Sequence, residues 1–219
     1  MNSPLIQLLV LAGIAIFLIL KLRSVLGTRE GFEKPAVPRP TEERASRAGL
    51  EVIEGGPDHD IVDHVEADSA IARDLAAMKR VEPEFSVTEF IGGARGAYEM
   101  IVMGFERGEL DGIKDFLAPD VYEAFVDGVA AREDKGLKVE AEFIGIRETR
   151  IQRVDFHKDT NLAEITMRFV GELTSVVRDA TGDVVEGSPT TAKRQKDSWT
   201  FARTMGSDDP NWVLVATDA

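Results

Sequence analysis

From Met1 to Leu20 the chain carries no charged side chain, and between Leu5 and Leu20 only Gln7 is strongly polar. Eighteen residues, Leu5 to Leu22, rise roughly 27 Å as an α-helix, enough to cross a hydrocarbon core. A cleaved signal peptide and a buried core helix are the competing readings. A signal peptide carries its basic residues ahead of the apolar run. Here Lys21, Arg23 and Arg29 come after it, although Val25-Leu26-Gly27 would pass as a weak cleavage site. Basic residues flanking a span stay on the cytoplasmic side. The expectation is therefore a single-pass inner-membrane protein anchored by residues 1–26, with its N-terminus outside and its C-terminal domain in the cytoplasm.

Past the anchor the composition turns polar. Residues 27–83 read as a tether: Pro35, Pro38 and Pro40 sit among charges of both signs, and no apolar period survives as far as Pro57. A weak helical pattern then appears over 61–80, at Ile61, Val65, Ile71, Leu75 and Met78, interrupted by Asp68. It reads either as a marginal helix lying against a domain or as a partner-binding segment that orders on contact. The same stretch holds Asp58, His59, Asp60, Asp63 and His64, a cluster with the residue types of a metal site. The two histidines are five apart, which on a helix puts them on different faces, so a solvated loop is the expected reading and no metal is assigned.

Composition removes several function classes. The 219 residues include no cysteine, which excludes disulfides, thiol catalysis and cysteine-ligated metal centres. A formal charge of −13 with no long basic run argues against nucleic acid as a direct partner.

The strongest local signal opens a domain spanning 84–219. Ser86-Val87-Thr88-Glu89 has the form of a capping box, and Phe85 and Phe90 flank it as a hydrophobic staple. Phe90, Ala94, Ala97, Ile101 and Phe105 continue one helical face toward a stop at Gly108. Gly92, Gly93 and Gly96 weaken that helix by about 1 kcal/mol each relative to alanine, which leads us to expect close approach by another backbone. A phosphate-binding loop does not fit, because no strand precedes these glycines. A short helix is expected over Leu110–Leu117, and another from Pro119 to near Gly136 presenting Val121, Phe125 and Val129.

The period then changes to two. Val139, Ala141 and Phe143, and later Ile165, Met167 and Phe169, alternate with polar residues around a turn at Lys158–Asn161. Val176-Val177 and Val184-Val185 flank a second turn at Thr181-Gly182-Asp183, Asp197–Arg203 forms a further strand, and Trp212–Thr217 closes the set. Helices first and strands after make an α+β domain, with the helices packed on a curved antiparallel sheet of about four strands.

Two blocks carry a resemblance. Phe90-Ile91-Gly92-Gly93-Ala94-Arg95-Gly96-Ala97-Tyr98-Glu99-Met100-Ile101-Val102 resembles the first-helix signature of the Tim44-like domain family. Asp197-Ser198-Trp199-Thr200-Phe201-Ala202-Arg203, with Asp209-Pro210-Asn211-Trp212-Val213-Leu214, resembles its C-terminal hairpin. The resemblance covers about Glu84 to Ala219 and is to the bacterial members that combine one anchor with this domain. It implies a nuclear-transport-factor-two-like cone with a large apolar pocket and affinity for the bacterial inner membrane and its anionic lipids. It also implies protein partners among the machinery that transports, inserts or assembles inner-membrane proteins, such as a chaperone or a ribosome. The chaperone-scaffold role of mitochondrial relatives rests on a long charged N-terminal region, whose place here is taken by a short tether and a transmembrane anchor.

Candidate site residues follow from charge. Two local basic groups stand out in an acidic chain: Arg147, Arg150 and Arg153, and Lys193, Arg194 and Lys196 just before Trp199. Cations beside a tryptophan suit a headgroup interface, so these six are the expected membrane contacts. For catalysis, Asp155, His157 and Tyr98 are the available groups, but no nucleophile–base pair emerges and no cofactor motif is present. The expected function is a non-enzymatic, membrane-tethered scaffold or lipid-binding module. The alternative is a small-ligand binding protein or enzyme with an apolar pocket.

Overall fold

The computed structural model describes residues 58–218. The expected anchor (1–26) and the tether as far as Pro57 lie outside the described residues. Among the described residues no helix is long and apolar enough to cross a membrane. Helices come first: α1 (His59–Val62), α2 (Ala70–Val81), α3 (Val87–Arg107), a short 3₁₀ turn (Lys114–Phe116) and α4 (Pro119–Glu133). Four strands follow: β1 (Lys138–His157), β2 (Leu162–Arg178), β3 (Val184–Thr204) and β4 (Val213–Asp218). They form one open antiparallel sheet in the order β1-β2-β3-β4. The α+β arrangement is as the sequence indicates.

Helix α3 is the centre of the core. Its start follows the sequence signal in part. The Ser86 hydroxyl accepts the Glu89 N–H at 3.2 Å, and the staple rings of Phe85 and Phe90 lie 6.4 Å apart. The remaining capping comes from α1 rather than from Glu89. Asp60 accepts the N–H groups of Val87 (2.7 Å) and Thr88 (2.9 Å) and the Ser86 hydroxyl (3.1 Å). Lys79 of α2 holds the same carboxylate at 2.8 Å. A carboxylate at a helix N-terminus satisfies free amides and complements the dipole. Gly108, at φ 74°, closes the helix in the left-handed conformation that glycine adopts without strain.

The expected metal-like cluster is thus part of a cap. Asp58 and Asp60 both pair with Lys79, and His64 Nε2 lies 2.9 Å from the Thr88 hydroxyl. Residues 61–80 form two helices broken between Asp63 and Ser69. Ile61, Leu75 and Met78 are buried in the same core as α3.

Along α3 the inward face is Phe90, Ala94, Tyr98, Ile101 and Val102, each large member contributing about 1.5–3 kcal/mol by burial. Ala97 and Phe105 are only partly buried. The expected backbone approach at Gly92, Gly93 and Gly96 is absent: a Cβ at any of them would have nothing within 4 Å. The close-approach glycine of this helix is Gly104, where a Cβ would stand 3.1 Å from Ile113. Ile113 belongs to the Leu110–Leu117 stretch, which is not a helix as expected. Only the three-residue 3₁₀ turn forms, because Leu110, Ile113 and Leu117 pack inward from loop backbone instead.

The sheet turns one face to the helices. Ile165, Met167 and Phe169 of β2 pair with Phe201, Trp199 and Asp197 of β3 on this inner face. Strand β3 is one continuous element of 21 residues, longer than the expected Asp197–Arg203. Its first half, exposed on both faces, shows no apolar alternation for a sequence reading to detect.

Candidate functional site

The outer face of the sheet gathers the basic residues. An i, i+3, i+6 spacing such as Arg147, Arg150 and Arg153 should alternate faces on a regular strand. Strand β1 is not regular: its register against β2 shifts between Phe143 and Gly145, between Ile146 and Glu148, and between Ile151 and Arg153. Each shift inserts one residue, and the bulge at Gln152 returns Arg153 to the face of Arg150. Arg150 then pairs with Arg168 and Arg153 with Thr166, alternate residues of β2 on the outer face. Arg147, itself a bulge residue, donates from Nε to Glu172 Oε2 at 2.7 Å. From the other side, Arg194 of β3 donates to Glu172 Oε1 at 2.9 Å.

Two basic groups distant in sequence therefore meet on one carboxylate. Glu172 has a side chain only 10% exposed, whereas Arg147 and Arg194 are 64% and 62% exposed. The Arg194 hydrogen bonds, and next the Arg147 hydrogen bond, hold the Glu172 carboxyl below the usual glutamate range. Its charge is fixed and its two oxygens are each occupied by a guanidinium. Around it, Glu148 lies between Arg150 (3.3 Å) and Arg168 (3.8 Å), and Arg153 pairs with Asp155 at 2.5 Å. Lys196, exposed, sits opposite Val170 on the same face. Lys193 differs: it pairs with Leu173, whose side chain is in the core, and so stands at the margin of the inner face. Of the six expected contact residues, five share the outer face.

The interior contains a second polar pair. Tyr98 is fully buried, stacked on Phe169 at 4.5 Å and 20°, and packed beside Trp199 at 4.8 Å. Its hydroxyl donates to Asp197 Oδ2 at 2.5 Å. Burial, and then the Asp197 hydrogen bond, push the Tyr98 phenol far above its usual value. Gly171 makes the arrangement possible, since a Cβ there would lie 2.7 Å from the Tyr98 hydroxyl. Of the other expected candidates for proton transfer, Asp155 is engaged by Arg153 and the exposed His157 lies 3.7 Å from Glu164. Neither reaches the Tyr98–Asp197 pair.

Two of the recesses among the described residues open beside the aromatic core. One, of about 380 Å³, is walled by Phe85, Phe90, Phe201 and Trp212, with the Glu82–Arg203 ion pair among its lining residues. Phe90 and Trp212 meet there at 4.7 Å. The other, of about 260 Å³, lies between α3, α4 and the β3–β4 edge. Sequence reasoning missed Glu172, Asp197 and Asp60 as organising residues. Each acts on a partner more than 20 residues away, and only the odd placement of an acid within an apolar strand, Glu172 between Gly171 and Leu173, hints at it.

A family model described as Tim44-like domain matches residues 71–219. No curated protein matches the sequence. Among solved structures, the intermembrane space region of the chloroplast protein ARC6 superposes with a TM-score of 0.40 at 11% identity, covering 58% of this chain and 94% of that one.

Proposed function

Because this chain belongs to the Tim44-like domain family, we propose that it is a membrane-tethered scaffold whose basic sheet face rests on anionic lipid. The observation that carries the reading is the convergence of Arg147 and Arg194 on the buried Glu172, which sets a cationic surface on an acidic protein. Net charge this negative repels an anionic bilayer in general, so contact has to be local and oriented. The guanidinia keep donors free for phosphate while Glu172 fixes their position.

In this reading the apolar run near the N-terminus holds the protein in the bacterial inner membrane, N-terminus outside, and the domain works on the cytoplasmic side. The scaffold serves the transport, insertion or assembly of inner-membrane proteins, with a chaperone or ribosome as the class of partner. The aromatic recess at Phe90 and Trp212 suits an acyl chain or apolar peptide. No catalytic role is assigned. A buried, paired carboxylate does exist at Asp197, and it is the specific feature that favours the alternative of a small-ligand enzyme. Its hydrogen bond to the Tyr98 hydroxyl, itself sealed among aromatic rings, gives it a packing role here.

The test uses residues 53–219, which contain the whole described domain. Co-sedimentation with phosphatidylglycerol vesicles should be salt-sensitive and absent with neutral vesicles. Replacing Arg147, Arg194 and Lys196 by glutamine should weaken it by about tenfold or more, given about 1 kcal/mol per basic residue at an anionic surface. Unchanged sedimentation of the triple variant would overturn this face as the contact.

A further inference from the structure

Strand β4 covers only part of its neighbour. It pairs with β3 from Ser198 to Ala202, and ends at Asp218 opposite Ser198. Before that point, Lys193 to Asp197 pair with β2 in unbroken register on one side. On the other side no strand lies beside them among the described residues. A rigid strand with one bare edge is a template for strand addition.

Beside this edge lies the 260 Å³ recess. Gln195, Asp197 and Trp199, alternate residues on the inner face of β3, form one wall, and Ile101, Phe105 and Phe125 form the other. A strand continuing the line of β4 would send every second side chain into that recess and the others to the outer face. The outer positions would lie beside Arg194 and Lys196. Lys196, on the outer face, forms no ion pair among the described residues, and Arg194 beside it is 62% exposed. The edge thus selects for acid on one face of its guest and apolar groups on the other.

We propose that the free edge of β3, from Lys193 to Lys196, receives an extended segment of a partner protein as a fifth strand, antiparallel to β3, in which acidic residues facing Arg194 and Lys196 alternate with apolar residues entering the recess. This goes beyond the membrane reading: the acidic contacts share Arg194 and Lys196 with it, but the backbone pairing and the recess on the inner face do not, since a bilayer offers no backbone groups. A second copy of this chain is disfavoured as the guest by its net charge.

The experiment uses the full chain in detergent micelles and a labelled peptide alternating glutamate with valine. At about 3.3 Å per residue, a peptide of about nine residues overspans the edge. A lysine-for-glutamate counterpart and two forms N-methylated on alternate residues, one for each register, serve as controls. The glutamate peptide should bind, and amide hydrogen exchange should slow at residues 193–196. The lysine peptide should bind about tenfold more weakly or worse, and one N-methylated form should lose about as much through its missing hydrogen bonds. No binding, or equal binding by both N-methylated forms, overturns the proposal. So does exchange already slow without peptide, which assigns the edge to the chain's own N-terminal residues, or slowing that follows protein concentration, which assigns it to a second copy.

Discussion

The Tyr98 hydroxyl and the Asp197 carboxylate meet at 2.5 Å across 99 residues of sequence, joining the middle of α3 to the start of the inward-facing half of β3. The pair fixes how the central helix sits on the sheet, because Tyr98 also stacks on Phe169 and excludes any side chain at Gly171. Tyr98→Phe leaves a buried carboxylate without its donor, at a cost of about 1–3 kcal/mol in thermal or denaturant unfolding. The phenol is raised in the folded state, first by burial and then by Asp197, from an ordinary value of 10.0. Its contribution is therefore whole below pH 10.0 and fades as pH rises beyond it. The stability gap between the parent and Tyr98→Phe should be flat up to that pH and shrink above it; a gap that grows there would contradict the assignment.

Asp60 joins α1, α2 and α3 through one carboxylate. Partial burial pushes its pKa up, but hydrogen bonds from Lys79, Thr88 and Val87 outweigh this and hold it well below the ordinary 3.8. Asp60→Ala should destabilise the domain by about 1–2 kcal/mol at neutral pH, more than Ser86→Ala at about 1 kcal/mol. A depressed carboxyl stabilises above its unfolded pKa and loses that contribution as pH falls through and below 3.8. The parent and Asp60→Ala should accordingly converge in acid, measured by urea unfolding across that range.

The three exposed glycines of α3 carry a stability cost with no packing return. Since a Cβ at Gly92, Gly93 or Gly96 meets nothing within 4 Å, each alanine substitution should raise stability by about 0.5–1 kcal/mol. Loss of stability at any of them would place an unseen neighbour on that helix face. Gly104→Ala, pressed against Ile113 at 3.1 Å, should behave oppositely.

Orientation is tested by fusions to the C-terminus. With Lys21, Arg23 and Arg29 following the apolar run, a fluorescent protein should be bright and alkaline phosphatase inactive. An active phosphatase would put the domain on the outer side.

What the sequence made legible was local. The α3 cap residue, its staple, the Pro119 start and the Lys158–Asn161 and Thr181–Asp183 turns are all signals within a few residues, and all appear in the structure. What it hid was non-local or irregular. Asp60 completes a cap 27 residues ahead, so it resembled a metal cluster instead. The bulges at Arg147 and Gln152 break the period of two, and without them Arg150 and Arg153 belong on opposite faces. Glu172 gains its meaning only when β1 and β3 flank it. The early part of β3 lacks alternation because neither of its faces is covered.

The absence of cysteine allows a single label to report which face meets the membrane. Gln152, exposed on the basic face within 3.0 Å of Ser198, and Asp127, exposed on α4, are each replaced by cysteine in residues 53–219 and carry an environment-sensitive fluorophore. With phosphatidylglycerol vesicles, the label at 152 should shift to the blue and be quenched by a headgroup-borne quencher, while the label at 127 stays in water. A response at 127 with silence at 152 would contradict the account, as would silence at both.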